Sequence, residues 1–124
     1  MTLEQLGNGY YLCDGEILSI NVNWVYTSDN GVNYSNASVD LKIRKKIDKK
    51  HYESCIIRLT FKELEEIGLL EDSKRGRDYS DIVLKELPAG KYYLSLDPYG
   101  NSGEPKDEDN LVIIAKYLEI NEQK

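Results

Sequence analysis

The amino-acid sequence predicts a mainly β domain of the β-rich α+β class, an antiparallel sandwich or half-open barrel with one short helix near residues 62–70. Several short segments alternate apolar and polar residues, which is the pattern of strands with one buried face. Turn-forming residues separate these segments at short intervals. Strands do not alternate with helices, and this argues against a parallel, doubly wound sheet.

Residues 18–26 form the clearest predicted strand. One set of side chains in this segment is apolar throughout and is expected to face the core: Leu18, Ile20, Val22, Trp24 and Tyr26. The set between them is mostly polar, so the pattern predicts one buried and one exposed face. Residues 28–36, SDNGVNYSN, are rich in residues that tolerate turns and predict an exposed hairpin loop.

The central part of the chain continues with two further strands. Residues 37–44 and 52–61 alternate in the same way, and the charged segment 45–50 between them predicts a turn. Leu64 and Ile67 then stand three residues apart, which is typical of one or two helical turns ending near Gly68. The helix at 62–70 is predicted on this spacing.

The C-terminal part predicts a loop, a hairpin and a final strand. Residues 71–79 are polar, and residues 80–87 and 91–97 alternate on either side of Pro88 and Gly90, which suit a tight turn. Residues 98–110 form a long polar segment that is expected at the surface. Residues 111–120 are almost continuously apolar, and this predicts a strand buried on both faces.

Composition limits the class of protein. A chain of 124 residues with 40% hydrophobic and 31% charged residues predicts a single domain spanning residues 1–124. The sequence contains neither a basic and apolar signal segment nor an uncharged run long enough to span a membrane, and it has only two cysteines. These features predict a cytoplasmic protein.

The net charge of −6 arises entirely after Phe61, where 15 acidic residues face 9 basic ones. An acidic protein repels nucleic-acid phosphates and suits a basic partner, although solubility alone also explains the charge. The basic residues within 42–50 are expected to form a solvated strand edge rather than a nucleic-acid site.

Candidate catalytic groups are few. His51 is the only histidine, and Cys55 lies four residues away, roughly 13 Å along an extended strand and too far for a nucleophile pair. Zinc-ligand spacings and phosphate-binding glycine motifs are missing from the sequence. We therefore predict a protein that is not an enzyme and has no cofactor, while carboxylate pairs formed in space remain open.

Two predicted loops contain candidate calcium ligands. The first contains Asp29, Asn30 and Asn33, and the second contains residues 107–110. Both supply the oxygen atoms that calcium prefers, but neither has the spacing of an EF-hand. A solvated acidic loop is the favoured interpretation.

Ten tyrosines make up most of the aromatic residues. Tyrosine gives a large rigid contact area with a polar tip and is common in interfaces. Tyr34 and Tyr99 lie in turn-rich segments, so we predict that they bind a partner, together with Asp107, Glu108 and Asp109. The alternative is that most tyrosines lie at sheet edges with their hydroxyl groups in water.

The C-terminal third resembles a known class. The segments SDIVLKEL, GKYYLSLDPYG and DNLVIIAKYLEI are similar to the endings of small β-rich bacterial immunity proteins that are encoded beside polymorphic toxins. The resemblance covers about a third of the chain and contains no diagnostic catalytic or binding motif. It implies a cytoplasmic inhibitor that masks a toxin domain.

Two functions follow as hypotheses. The first is a non-enzymatic protein-binding module, an immunity protein whose partner is a basic toxin domain. The second is a β-domain that binds a small ligand or carbohydrate, with or without calcium. Nucleic acid and membrane are not expected as partners, and the oligomeric state does not follow from the sequence.

Overall fold

The computed structural model describes residues 1–27, 31–68, 77–100 and 102–123. Within these ranges the chain forms one helix and seven strands: α1 (Leu3–Gly9), β1 (Tyr10–Thr27), β2 (Gly31–Lys46), β3 (Tyr52–Gly68), β4 (Asp78–Tyr79), β5 (Val83–Glu86), β6 (Tyr92–Asp97) and β7 (Asn110–Gln123). The strands form one antiparallel sheet in the order β4-β1-β2-β3-β7-β6-β5, curled into a half-barrel. The predicted mainly β, half-open architecture is confirmed.

The helix lies at the N terminus and not at 62–70. Gln5 N–H donates to the Thr2 hydroxyl at 3.1 Å, and Thr2 N–H donates to Gln5 Oε1 at 2.8 Å. This reciprocal capping box starts the helix. Leu6 projects from it and is fully buried in the core, so α1 is held by packing as well as by its cap.

The predicted helix at 62–70 is wrong over residues 62–68, which belong to β3. Two backbone irregularities produce the helix-like spacing. Glu63 has a φ of 55°, and the pairing with β7 shifts between Leu64 and Glu66. An inserted residue in a strand changes which side chains share a face. As a result Leu64 and Ile67 both pack against the core although they lie three residues apart.

The core lies on one face of the curled sheet. Rows of directly paired residues cross the strands, for example Val22, Ala37, Phe61 and Leu118 on β1, β2, β3 and β7. Ala37 and Phe61 in this row are completely buried, whereas Val22 is 36% exposed. The core is therefore centred on β2, β3 and β7 and ends at β1.

The first residues of β1 are well covered. Gly15 pairs with Tyr79 of β4, and the Tyr79 hydroxyl donates to the Leu12 carbonyl at 2.6 Å. A Cβ atom on Gly15 would lie 2.6 Å from the Tyr79 hydroxyl oxygen and 2.8 Å from the Lys42 carbonyl oxygen. Only glycine allows this close approach.

Several predicted elements are confirmed and others change. The strands within 37–44, 52–61 and 91–97 are present, and β5 and β6 form the predicted hairpin around Pro88 and Gly90. Residues 31–36 belong to β2 rather than to a loop, and residues 28–30 lie outside the described part of the chain. β7 is buried on both faces only from Leu111 to Ile113, because Lys116 and Tyr117 are exposed.

Candidate functional site

The sheet divides between β2 and β3. Their pairing runs from the Lys46–Tyr52 pair to the Asn36–Lys62 pair and then stops. Beyond this point, in the described residues, β2 pairs only with β1 and β3 pairs only with β7. We call residues 18–27 and 31–36 of the β1–β2 ribbon the arm; its outer part, residues 24–27 and 31–35, lies beyond the last β2–β3 pair.

The side chain of Ser35 links β2 to β3 where the two strands begin to separate. The backbone N–H of Leu64 donates to the hydroxyl of Ser35 at 2.9 Å, and Ser35 is buried. The hydroxyl satisfies a buried backbone donor whose strand partner has moved away. The two ribbons are therefore joined at one point and separate above it.

The space between the ribbons is an open cleft of about 670 Å³. Its walls come from the arm, from β3 and from β7: Trp24, Tyr34, Ser35, Lys62, Glu63, Leu64, Glu65, Lys116 and Tyr117. Lys62 Nζ lies 2.9 Å from Glu119 Oε1, and the hydrogen bond from this pair raises the pKa of Lys62. Aromatic rings beside charged groups give the cleft both apolar and polar contact surface.

The arm leaves its apolar side chains uncovered, and the prediction of a buried face at 18–26 is wrong. Trp24 is 38%, Val25 43% and Tyr26 68% exposed. Irregular pairing between Ile17 and Ser19 removes Leu18 from the face that Ile20 shares. Ile20 still packs against the core, but the core does not extend to the residues beyond it.

Tyr34 lies in this cleft, on a strand rather than in a loop. It is half exposed, and Asn36 Nδ2 donates to its hydroxyl oxygen at 2.6 Å. The hydrogen bond restricts the motion of the ring, which forms part of the cleft wall. A fixed aromatic ring loses little entropy when it enters an interface.

Tyr99 lies elsewhere, in the loop between β6 and β7, and does not line the cleft. Asp107 and Glu108 in the same loop are exposed, whereas Asp109 is partly buried. The structure therefore does not bring the five predicted partner-binding residues together. Their role in binding stays a prediction.

Asp109 organises its own loop. Its carboxylate accepts hydrogen bonds from the Tyr93 hydroxyl at 2.5 Å, from Tyr99 N–H at 2.7 Å and from Lys106 N–H at 3.0 Å. Burial alone would raise the pKa of Asp109, but these hydrogen bonds favour the charged form and lower it overall. Its oxygens are already engaged within the protein.

Three other tyrosines also have internal roles. Tyr10, Tyr79 and Tyr93 are buried, and each hydroxyl donates to an internal oxygen. Burial and the Glu122 carboxylate raise the pKa of Tyr10 to about 12. The abundance of tyrosine therefore reflects core structure as well as exposed surface.

The candidate nucleophiles are separate from the cleft. Burial raises the pKa of both Cys13 and Cys55, which keeps the thiols protonated. The ring of His51 contacts Asp48, with Nδ1 2.7 Å from Oδ1. Residues 52–55 are extended in β3, as the sequence predicted.

Among the described residues, no group of three or more His, Cys, Asp or Glu side chains lies close enough to hold a metal ion. Asp29 and Asn30 of the first calcium candidate lie outside the described residues, as does the side chain of Asn33. No helix in the described part of the chain is long and apolar enough to cross a membrane.

A second aromatic cluster lies at the opposite end of the sheet. The guanidinium of Arg44 lies 4.4 Å from the centre of the Tyr11 ring and 6.0 Å from that of Tyr52. The two rings meet edge to face. Arg44 and the two rings interact with one another. Trp24 and Tyr26 of the arm, in contrast, remain exposed.

Comparison of the chain with protein-family models, with curated proteins and with solved structures finds no match.

Proposed function

We propose that this chain is a non-enzymatic protein-binding module of the immunity-protein class, acting in the cytoplasm, and that its partner contacts the arm and the cleft. The uncovered apolar and aromatic side chains of the arm carry this proposal. Trp24 and Tyr26 are residue types that dominate binding energy in interfaces. Exposed apolar side chains do not stabilise the sheet itself, and they are typical of interaction surfaces.

The charge of the chain supports a basic partner. The net charge is −6, and Asp107 and Glu108 are exposed in the β6–β7 loop. A net negative charge speeds the encounter with a basic surface and disfavours other acidic proteins. A toxin domain with a basic active surface is the kind of partner that this arrangement would mask.

The direct test uses the product of the gene adjacent to the one encoding this chain. We expect a stable equimolar complex and a dissociation constant that rises about 30-fold or more with Trp24→Ala, since a central aromatic residue typically contributes about 2 kcal/mol or more. Tyr52→Ala is the control because Tyr52 is also an exposed aromatic residue but lies at the other end of the sheet. The absence of a complex, or equal binding by both variants, would contradict the proposal.

A second candidate is binding of a small ligand or carbohydrate in the cleft. The specific observation is the volume of about 670 Å³ between Trp24, Tyr34 and Tyr117. Apolar pockets with a few polar groups in this size range accommodate small molecules. Thermal-shift measurements with sugars, nucleotides and calcium test this candidate, because a native-state ligand must raise the apparent stability.

A further inference from the structure

The outer edge of β1 differs from the edges that β-sheets normally present to solvent. On the side of β4, the last backbone contact to β1 in the described residues is from Ile17 N–H to the Arg77 carbonyl at 2.7 Å. β1 continues for ten more residues to Thr27. Over this length the described chain pairs with β1 only through β2, on the other side.

Between its pairing irregularities, which follow Ile17 and Val25, this edge also lacks the usual protection against strand pairing. Residues 17–27 contain no charged residue and no proline. Native edges are normally short, charged or interrupted by proline. The opposite edge of the same sheet follows that rule, since β5 has four residues, includes Lys85 and Glu86, and is followed by Pro88.

The sequence of the β1 edge complements itself. Pairing with β2 is regular from Ser19 to Val25 and shifts on either side of that segment. Val22 is the centre of these seven residues. In an antiparallel pair related by a two-fold axis at Val22, Ile20 faces Trp24 and Asn21 faces Asn23 of the second copy.

We infer that β1 pairs with β1 of a second copy of this chain, antiparallel and centred on Val22, to form a continuous sheet across a two-fold dimer. From Ile20 to Trp24 the pairing places apolar side chains opposite apolar ones and amides opposite amides, while Ser19 faces Val25 at each end, and the segment carries no charge. An antiparallel ladder over seven residue pairs supplies about six to eight hydrogen bonds. Assembly then stops, because the edges that remain are the two-residue β4 strands and the charged β5 strands.

The size of this contact sets the expected strength. The 38% exposure of Trp24 and 68% exposure of Tyr26 leave on the order of 200 Å² on these two side chains. The whole contact is expected to fall below about 800 Å² per copy, the usual value for a stable interface. The dimer should therefore form in a concentration-dependent manner at micromolar protein.

Sedimentation velocity of the full chain, from low micromolar to several hundred micromolar, tests the inference. The wild-type protein should shift from monomer to dimer, and Val22→Lys should raise the dissociation constant at least tenfold because two lysines meet at the axis. Ile56→Lys is the matched control, since Ile56 is also 36% exposed but lies on β3, which is paired on both sides. It should dimerise within about twofold of wild type.

Oxidative crosslinking defines the register. Directly opposed residues in an antiparallel pair have Cβ atoms about 4.5–5.5 Å apart, close to the disulfide range. Val22→Cys should give a covalent dimer, whereas Ile56→Cys and the wild-type protein should not. A dimer that Val22→Cys fails to crosslink would show another surface and overturn the inference.

A wild-type protein that stays monomeric throughout the series also overturns the inference. If Val22→Lys then abolishes binding of the adjacent gene product, the edge pairs with a strand of that partner and not with a second copy. Self-association is measured without any partner, so this result is independent of the proposed function.

Discussion

The two halves of β1 have similar apolar content and different surroundings. Residues 10–17 contact α1, β4 and the core, and Tyr10 and Gly15 are buried, while Tyr11 and Asp14 are exposed. Residues 21–26 are all exposed. Alternation in sequence therefore identifies a strand, but burial of its apolar face depends on whether another element covers it.

This difference also separates the part of β1 that stabilises the fold from the part that the proposed function uses. Apolar residues of the first half stabilise the fold by leaving water. Those of the second half leave more of their surface in water, since Trp24 is 38% and Tyr26 68% exposed, and therefore contribute less to folding. Substitutions at covered positions should therefore lower the free energy of unfolding more than substitutions at uncovered ones.

The largest loss of stability is expected for substitution of Phe61, a core residue on β3. Phe61 is completely buried, so Phe61→Ala should lower the free energy of unfolding by about 3–5 kcal/mol. Tyr26→Ala on the arm removes a ring that is 68% exposed and should change it by less than about 0.5 kcal/mol. Denaturant unfolding measures both, and equal losses would show that the arm is covered in solution.

Gly15→Ala tests the covered half of β1. The added Cβ would collide with the Tyr79 hydroxyl and with the backbone of Lys42. We expect a loss of about 1–3 kcal/mol, since the backbone must move to relieve the contact. Gly7→Ala is a control, because nothing lies within 4 Å of a Cβ placed there. Similar stability of the two variants in denaturant unfolding would contradict the close packing of β4 on β1.

The β6–β7 loop is exposed like the arm but held by internal hydrogen bonds like the first half of β1. Asp109→Asn should lower the free energy of unfolding by about 1–2 kcal/mol at neutral pH, because the charged acceptor of three donors is lost. The folded pKa of Asp109 lies below the unfolded value of about 3.9. Its contribution is therefore complete above that value and disappears as the pH falls through the folded pKa.

Unfolding measured from pH 7 to pH 2 checks this prediction. The wild-type protein should lose stability on the acid side more steeply than Asp109→Asn. Asp107→Asn is the matched control, since Asp107 is exposed in the same loop. Parallel curves for wild type and Asp109→Asn would exclude the proposed role of Asp109.

The last comparison is between two valines in adjacent strands, of which exposed Val22 should give the smallest effect. Val22→Ala should change the free energy of unfolding by less than about 0.5 kcal/mol. Val39→Ala should cost about 1.5–3 kcal/mol because Val39 is completely buried. Measurement at low protein concentration keeps self-association from contributing to the Val22 result.

Much of the fold follows from the sequence by local rules. The alternation within 37–44, 52–61 and 91–97 and the turn at Pro88 and Gly90 all correspond to observed elements. The N-terminal helix was missed, although Thr2 and Gln5 have the spacing of a capping box that could have located it. The helix at 62–70 was predicted wrongly because irregular strand pairing produces a three-residue spacing.

The candidate site could be predicted only in part. Tyr34 was identified from its turn-rich surroundings and is exposed at the cleft. Trp24 was missed because its alternation suggested burial, and the divergence of β2 from β3 has no local sequence signal. The uncharged run 17–27 was available in the sequence as a sign of an unprotected edge.

Trp24 provides the most direct test, because it is the only tryptophan in the chain and lies on the arm. In dilute solution its fluorescence should be red-shifted towards that of indole in water and readily quenched by acrylamide. Addition of the protein partner should shift the emission to the blue and reduce quenching. Blue-shifted, protected emission from the dilute protein alone, unchanged by the partner, would contradict the uncovered arm.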